Sequence, residues 1–394
     1  MTRQVEPLPV LTLNSGSSSL KFGFYSVGVN SLETVLTGEA ESIGQDRSNF
    51  SAFDASGQHV LTQEISIPDQ KSAIARIGEF LDQRRLGLPA AVGHRVVHGG
   101  PRIRGHTLID AAVLQQLEAA VALAPLHAPA ALAVIKFAQE HFPTVPHVAC
   151  LDTAFHTTLP DVARLLPIQK ALQSEGVYRY GFHGLSCESI IRQLGKDLPE
   201  RLAIAHLGNG ASITAVKNGR SIDTSMGLTP SGGIIMGTRT GDIDPGVLTY
   251  LAREKCFDAA ALDSFVNRDS GLLGISGVSG DLRKLHEAEG SNPDARLALV
   301  MFCYSIRKQI AAMAAALEGV DVLVFTGGIG ENDPAVREVV CAGLSWLGVN
   351  LDAERNRLSK TVISSEQAKC AVRVIRTKEE EQIARHVCTL MRGI

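Results

Sequence analysis

Aromatic residues, long apolar runs and an excess of either charge are scarce in this chain of 394 residues. Aromatic residues make up 5% of it and include a single tryptophan, so a sheet that stacks nucleic-acid bases on aromatic rings is not expected. Lys and Arg total 38 against 41 Asp and Glu, a formal net charge of -3. Without a basic excess or stripe, the sequence argues against a nucleic-acid partner.

The sequence also shows little that would enter or cross a membrane. Its first residues carry no long apolar segment before a small-residue cleavage site, as a secretion signal would, and no run approaches the ~18 uninterrupted apolar residues of a spanning helix. The seven cysteines are scattered, and no two form a Cys-x-x-Cys pair. This favours reduced thiols over a disulfide framework or a zinc site. The sequence predicts a cytoplasmic protein with no membrane partner.

An internal likeness indicates how the chain is organised. Residues 8–25 and 201–216 share one pattern, an apolar strand, a glycine-rich turn and a second strand, and their spacing suggests two domains with related cores. Helical patterns cover residues 110–141 and 296–318, and the second is followed by an apolar strand at 320–325. Strands that alternate with helices predict an α/β fold.

Glycine is abundant, and part of it lies in four turns that follow or join predicted strands, at residues 14–19, 207–212, 276–281 and 326–332. Glycine lets a backbone approach a phosphate, while serine hydroxyls and backbone N–H groups donate hydrogen bonds to it. The P-loop pattern and the strand–G-x-G-x-x-G–helix unit are absent, which disfavours a P-loop enzyme and a simple dinucleotide-binding domain. Each turn alone would usually be an ordinary hairpin, but the four together indicate phosphate binding.

Charged side chains in constrained loops form a second signal. Glycine or proline flanks four cationic or imidazole side chains, namely Arg95, His127, His183 and Arg239. Arginine offers a planar fork that matches carboxylate and phosphate oxygens. Asp152 ends a predicted strand and Glu379 starts a predicted helix, and magnesium with a nucleotide takes one or two such carboxylates. Any one of these residues could instead cap a helix or fill a core, so the combination carries the interpretation.

Long motifs in the same regions resemble the acetate kinase family, and more broadly the acetate, propionate and butyrate kinases. The most specific are YGFHG, HLGNGAS, MGTRTGDIDPG and TGGIGEN, and the matches run in order from residue 10 to residue 385. The resemblance implies two duplicated actin-like (ribonuclease H-like) α/β domains around a nucleotide cleft. The first would hold residues 1–150 plus a helix at about 380–394, on the acetate side. The second, residues 151–379, would bind the nucleotide.

The resemblance further implies the activity. An acetate kinase transfers the γ-phosphoryl group of ATP reversibly to acetate, which gives acetyl phosphate and ADP. The transfer is expected to be direct and in line, to need Mg²⁺ with Mn²⁺ as an alternative ion, and to occur in a homodimer. An acetate anion needs no strong base to act as a nucleophile, so the protein must mainly position the reactants and offset charge repulsion.

Site residues follow by position in the matching motifs. The catalytic residues would be Asp152, His183, Arg239, Arg95 and His127. The acetate site would use Arg95 with an apolar pocket of Val97, Leu126, Phe182 and Pro230. ATP would contact Ser17, Ser19, Lys21, His206, Leu207, Gly208, Asn209, Gly210, Asp281, Leu282, Arg283, Gly328, Ile329, Gly330, Glu331 and Asn332. The metal would lie near Asn14 and Glu379.

Some positions depart from the family pattern. Ala128 stands where asparagine is common, Leu185 and Cys187 where threonine and histidine are usual, and Ser231 and Gly232 where Leu-Glu is familiar. These departures leave the acyl preference open, with propionate or butyrate kinase as the alternative, because one methylene changes discrimination by only ~1–3 kcal/mol. Two other readings are a sugar kinase and a non-catalytic nucleotide-binding protein on the same scaffold. The apolar pocket residues argue against the first, and the presence of Arg95, Asp152 and Arg239 argues against the second.

Overall fold

The computed structural model describes residues 6–16, 18–124 and 128–393. The chain divides into two compact units. Unit 1 comprises Met1–Ala154, Gly184–Ser189 and Lys378–Ile394, and unit 2 comprises Phe155–His183 and Ile190–Thr377. Each unit combines a mixed sheet with helices, which confirms the predicted α/β class.

The described part of unit 1 has an eight-stranded sheet and that of unit 2 a five-stranded sheet. Unit 1 contains β1 (Leu8–Ser15), β2 (Leu20–Val27), β3 (Leu32–Glu41), β4 (Ser48–Asp54), β5 (His59–Ile65), β6 (Ala91–Val96), β7 (Thr107–Leu108) and β8 (His147–Leu151). Unit 2 contains β9 (Arg201–Leu207), β10 (Ala211–Lys217), β11 (Arg220–Thr224), β12 (Val322–Thr326) and β13 (Ala371–Val374). The strand orders are β5-β4-β3-β2-β1-β6-β8-β7 and β11-β10-β9-β12-β13. Strands β1, β6 and β8 are mutually parallel, as are β9, β12 and β13.

The helices of the described residues follow in chain order. They are α1 (Gln70–Gln83), α2 (Ala111–Ala119), α3 (Ala128–His141), α4 (Asp161–Arg164), α5 (Lys170–Ser174), α6 (Gly184–Leu194), α7 (Pro245–Glu254), α8 (Ala259–Asn267), α9 (Gly271–Ser276), α10 (Leu282–Ala288), α11 (Pro293–Ala316), α12 (Gly327–Asn332), α13 (Pro334–Ala342), α14 (Ala353–Arg357) and α15 (Glu379–Arg392). Short 3₁₀ turns occur at Ala120–Leu123, Ala154–Thr158, Gly195–Asp197 and Ser345–Leu347. Helix α6 belongs to unit 1 through Ser189 and to unit 2 from Ile190.

An aromatic cluster anchors the core of unit 1. The ring of Phe50 stacks on that of Phe22 at 5.5 Å and meets Phe80 edge-on at 5.8 Å. Phe80 lies on the buried face of α1, a helix that begins where the Asp69 side chain accepts the N–H of Ser72. Such a cap satisfies one of the N–H groups that a helix start leaves unpaired. The cluster therefore fixes α1 against β2 and β4.

Helix α15 packs on the same sheet of unit 1 because a glycine leaves room for it. Gly93 of β6 faces Ile383 and Val387 of this helix, and a Cβ at Gly93 would lie 2.5 Å from the Ile383 side chain. Real carbon atoms do not approach so closely, so the missing side chain sets the distance between helix and sheet. The C-terminal helix thereby places Glu379, its first residue, in unit 1.

Unit 2 is built around α11, whose buried residues include Leu299, Phe302, Ile306 and Ile310. By length and composition alone, this helix of 24 residues is apolar enough to cross a membrane. Core helices of globular proteins pass the same test, and the contacts of α11 with β9 and β10 identify it as a core helix of unit 2.

Most elements predicted from the sequence are present, with two differences. The turn at 276–281, predicted next to strands, joins helices α9 and α10. The two strand–turn–strand segments are β1–β2 and β9–β10, and helices cover most of 110–141 and 296–318. The predicted turn at 326–332 was wrong, because residues 327–332 form the short helix α12. Gly327 adopts φ +79, a conformation open to glycine that lets β12 run directly into a helix.

We expect Phe50→Ala to lower the free energy of unfolding of unit 1 by about 3–5 kcal/mol, because it leaves a cavity among buried rings. Hydrogen exchange of peptides from β4 and α1 measures this within unit 1, whereas Trp346 fluorescence reports on unit 2. Leu88→Ala is the control, since Leu88 is 67% exposed and its loss should change stability by less than about 0.5 kcal/mol. Equal exchange in the two variants would contradict the proposed anchoring role.

Candidate active site

Three polar side chains meet at one edge of the unit 1 sheet. Strands β1, β6 and β8 are parallel and in register, so Asn14 near the end of β1, Arg95 near the end of β6 and Asp152 just after β8 lie together. Ligands of open α/β sheets bind outside the carboxyl ends of parallel strands. This edge is therefore where a site is expected.

The side chains at this edge form one hydrogen-bonded group. Arg95 donates from Nε and Nη2 to Asp152 Oδ2 at 3.0 and 2.6 Å, and from Nη1 to Asn14 Oδ1 at 3.3 Å. Asn14 Nδ2 in turn donates to Glu379 Oε2 at 3.2 Å and to Glu380 Oε1 at 2.9 Å. The structure thus brings together the predicted residues Asn14, Arg95, Asp152 and Glu379, and adds Glu380.

Burial dominates the electrostatics of this group. Burial raises the pKa of the fully buried Asp152 carboxyl, Arg95 opposes that rise, and Glu379 adds to it. For Arg95, burial lowers the pKa, but the charges of Asp152 and Glu379 outweigh it and the net shift is upward. Asp152 Oδ1 is buried and has no hydrogen-bond partner among the described residues. A buried acceptor without a partner is uncommon and marks a position where a ligand can bind.

A second group lies in unit 2 around two stacked imidazoles. The rings of His183 and His206 are 4.2 Å apart and 21° from parallel, and His183 Nδ1 lies 2.9 Å from Ser212 Oγ. His183 precedes α6 with φ 60, a left-handed conformation that non-glycine residues adopt rarely and that concentrates at functional sites.

Gly210 keeps space open between His183 and Arg239. A Cβ at this position would lie 3.2 Å from His183 Nε2 and 3.4 Å from Arg239 Nη1. The Arg239 guanidinium, 7% exposed, donates from Nη1 to Pro230 O at 3.0 Å. The turn at 207–212 thus lets an imidazole and a guanidinium approach the same glycine backbone, where both can bind an anionic oxygen.

Unit 2 also contains a cavity of about 1020 Å³, at the upper end of the range for small-molecule sites. Eight of the residues predicted to contact ATP line it: Gly208, Asn209, Asp281, Leu282, Arg283, Gly328, Ile329 and Asn332. Its lining also includes residues that the sequence analysis did not single out: Gly237, Thr238, Gly280, His286, Phe302, Asp333 and Ala335. Gly237 and Thr238 adjoin Arg239 in its motif, and Gly280 precedes Asp281, so these three could have been found from the sequence.

Other predicted ATP contacts lie elsewhere in the described chain. Glu331 faces the backbone, where its Oε1 accepts the N–H groups of Gly327 and Thr377, each at 3.0 Å. Gly330 is held by the buried Arg337, whose Nη1 donates to the Gly330 carbonyl at 2.9 Å. These contacts brace α12, so Glu331 and Arg337 shape the cavity wall without lining it.

The remaining predicted residues are distributed between the units. Ser19 and Lys21 belong to unit 1, where Lys21 pairs with Asn14 across β1 and β2. Val97 is buried in unit 1, and Phe182 and Pro230 are buried in unit 2. Three predicted residues, Ser17, Leu126 and His127, lie outside the described residues.

Comparisons with known proteins agree along nearly the whole chain. The profile of the Acetokinase family matches residues 9–385. The chain is 42% identical to the acetate kinase of Methylocella silvestris, covering 97% of this chain and 98% of that protein. It is 43% identical to the acetate kinase of Caldanaerobacter subterraneus subsp. tengcongensis, covering 98% and 100%.

Two solved structures are also similar. A propionate kinase from Francisella tularensis subsp. tularensis superposes with a TM-score of 0.88 at 37% identity, covering 96% of this chain and 98% of that one. An acetate kinase from Porphyromonas gingivalis superposes with a TM-score of 0.84 at 37% identity, covering 98% and 100%.

His286 in the cavity wall generates a pH-dependent prediction. Burial lowers its pKa, but its hydrogen bonds to Glu289 at 3.1 Å and Asp333 at 3.0 Å raise the pKa above its ordinary value. A pKa raised on folding stabilises the protein below the unfolded value of about 6.5, and that stability is lost as pH rises through the folded value. We expect His286→Gln to lower the melting temperature more at pH 6 than at pH 9.

Thermal unfolding of both proteins at the two pH values measures this difference. His59→Gln is the control, because the exposed His59 contacts Thr62 and no carboxylate among its described hydrogen bonds. An equal loss of melting temperature for His286→Gln at both pH values would show that the ion pairs of His286 do not stabilise the fold.

Proposed function

The chain belongs to the acetokinase family, and we propose that it is an acetate kinase. It transfers the γ-phosphoryl group of ATP reversibly to acetate, giving acetyl phosphate and ADP. The observation that carries this proposal is the 42–43% identity to acetate kinases over 97–98% of the chain. The charged groups of both units supply the chemistry that the reaction needs.

We propose a division of roles between the two units. The cavity of unit 2 takes the nucleotide, because eight residues of the family's ATP-binding motifs line it. The group of Asn14, Arg95, Asp152 and Glu379 in unit 1 serves the acetate and the metal. Val97, Leu126, Phe182 and Pro230 match the positions at which the family binds the acetate methyl.

The residues of unit 1 fit a hard divalent cation. Asn14 and Glu379 offer amide and carboxylate oxygens, the donors that Mg²⁺ and Mn²⁺ prefer, and Glu380 adds a second carboxylate beside them. A magnesium ion bound with ATP would neutralise charge on the phosphate oxygens. Asn14 and Glu379 would hold it, and the Asn14 amide already lies within hydrogen-bond distance of both Glu379 and Glu380.

The remaining steps concern how two anions are brought together. Acetate already carries the nucleophilic oxygen, so no base needs to remove a proton. Arg95, fixed by two hydrogen bonds to Asp152, presents its cation to a carboxylate. Arg239 and His183 offset the charge that spreads over the equatorial oxygens in transfer. We propose direct in-line transfer, with no phosphorylated enzyme.

Propionate kinase is the second candidate, because a propionate kinase is among the similar solved structures, with a TM-score of 0.88. The apolar pocket decides between the acids, and one methylene is worth only ~1–3 kcal/mol. We also propose a homodimer in the cytoplasm. The seven free cysteines fit a reducing compartment, and the family resemblance supports the dimer.

The acyl preference can be tested with hydroxylamine, which converts acyl phosphates to hydroxamates that form coloured complexes with Fe³⁺. We expect product with ATP, Mg²⁺ and acetate, and a kcat/KM for acetate that exceeds that for propionate and butyrate. Reactions without acid or without enzyme are the controls. A higher kcat/KM for propionate would assign the chain to the second candidate, and no product with any of the three acids would refute the kinase proposal.

Arg239→Ala tests the charge-offset role. Loss of a buried cation that acts in the transition state should cost about 2–4 kcal/mol, which is roughly a 30- to 1000-fold fall in kcat/KM. Arg253→Ala is the matched control, because the Arg253 side chain is 75% exposed in unit 2 and pairs only weakly with Glu254. The assignment fails if Arg239→Ala, shown by circular dichroism to be folded, keeps the kcat/KM of Arg253→Ala.

A further inference from the structure

A cluster of titratable side chains in unit 1 lies outside the group just described. His106 precedes β7, Glu188 lies on α6 and His386 lies on α15, so three distant segments of sequence supply it. One nitrogen or oxygen atom from each lies within 4.8 Å of the other two. All three are partly buried, with 14–21% of each side chain exposed.

The Glu188 carboxylate lies between the two imidazoles. His386 Nε2 is 2.6 Å from Glu188 Oε2, and His106 Nε2 is 3.8 Å from Glu188 Oε1. Burial alone would raise the pKa of Glu188. The hydrogen bonds and charges of the two histidines outweigh burial and lower that pKa to about 2. Glu188 is therefore an anion at neutral pH.

The other nitrogen of His106 completes the edge of the sheet. Strand β7 pairs with β8 through Thr107 and Leu108. Beyond that pairing, the Leu151 N–H of β8 has no strand carbonyl on this side among the described residues. His106 Nδ1 accepts that N–H at 3.0 Å. A side-chain nitrogen thus replaces a backbone acceptor, at the residue directly before Asp152.

This contact determines the tautomer of His106. Because Nδ1 accepts a hydrogen bond, the neutral ring carries its proton on Nε2, on the side of Glu188. A divalent metal at Nε2 would need the opposite tautomer, whose Nδ1–H would face the Leu151 N–H. The geometry therefore favours a hydrogen-bonded network over a 2-His-1-carboxylate metal site.

We propose that His106 and Glu188 are positioning residues for Asp152. The negative charge of Glu188, 3.8 Å from His106 Nε2, favours a proton on that nitrogen, and the contact of His106 Nδ1 with the Leu151 N–H fixes the end of β8 that carries the catalytic carboxylate. The Asp152 backbone is held on its other sides by its N–H to Val96 O and by Gly184 N–H to its carbonyl, each at 2.9 Å. The proposal rests on the kinase function for its catalytic consequence.

Two substitutions of His106 separate its role as a hydrogen-bond acceptor from its ability to take up a proton. His106→Asn keeps an oxygen near the place of Nδ1 and cannot titrate, whereas His106→Leu offers no acceptor. We expect His106→Leu to lower kcat at least 10-fold with the KM for ATP changed less than 2-fold. His106→Asn should keep kcat within about 3-fold. His59→Leu, at an exposed histidine of β5, is the control and should match the wild type.

A pH profile supplies a readout that a merely structural role would not change. Protonation of His106 places a hydrogen on Nδ1 against the Leu151 N–H, so wild-type kcat should fall on acidification. Burial lowers the pKa of His106 and outweighs the opposing effect of Glu188, so the net shift is downward. We therefore expect the fall in kcat below pH 6.5, the ordinary pKa of histidine. The titratable groups that influence His106 are Glu188 from α6, His386 from α15 and Asp152 after β8. His106→Asn should lack the acid limb.

Hydrogen exchange at the Leu151 amide tests the positioning directly and does not depend on activity. Exchange should be at least 10-fold faster in His106→Leu and near wild type in His106→Asn. If no acid is phosphorylated, the kinase proposal fails. The exchange result still shows whether His106 accepts the Leu151 N–H. Wild-type exchange and kcat in folded His106→Leu would overturn the inference. So would stoichiometric binding of Zn²⁺ in calorimetry that His106→Leu abolishes, which would assign a metal site instead.

Discussion

The largely buried ion pair between Arg95 and Asp152 is the interaction on which the site of unit 1 depends. Two charges withdrawn from water are stable only when geometry and further hydrogen bonds compensate. Here the compensation comes from parallel strands in register, which place the ends of β6 and β8 side by side. Because Arg95 also reaches Asn14 on β1, one guanidinium connects three strand ends and, through Asn14, the start of α15.

Part of this arrangement could be predicted from the sequence, because its residues lie in motifs that resemble those of the acetate kinase family. Asp152 follows a strand, as predicted, whereas Arg95 was predicted in a constrained loop and lies in strand β6. The parallel pairing of β6 with β8 brings the two side chains together. The segment at 326–332 shows the limit of such prediction. Its glycines indicate a turn, but Gly327 instead allows a strand to enter a helix, and only the tertiary contacts of Glu331 and Arg337 settle that choice.

Residues that act through long-range packing could not be found in this way. His106, Glu188 and His386 are separated by 82 and 198 positions, and none lies in a glycine-rich motif. Their meeting depends on α15 returning to the sheet of unit 1, which Gly93 permits. Phe302 and His286 line the cavity of unit 2 for a similar reason, since the packing of α10 and α11 places them there. No local pattern distinguishes them from ordinary core or surface residues.

The net charge of -3 and the handling of anionic substrates are compatible because the useful cations are few and buried. An exposed arginine acts through high-dielectric water and is screened by salt, whereas a desolvated one interacts more strongly with an anion. Burial carries a desolvation penalty, which Asp152 offsets for Arg95 and the Pro230 carbonyl helps to offset for Arg239. Each fixed cation thus requires acceptors of its own, which limits how many a site can contain. The protein thus places a few arginines at its binding sites, while its overall composition stays slightly acidic.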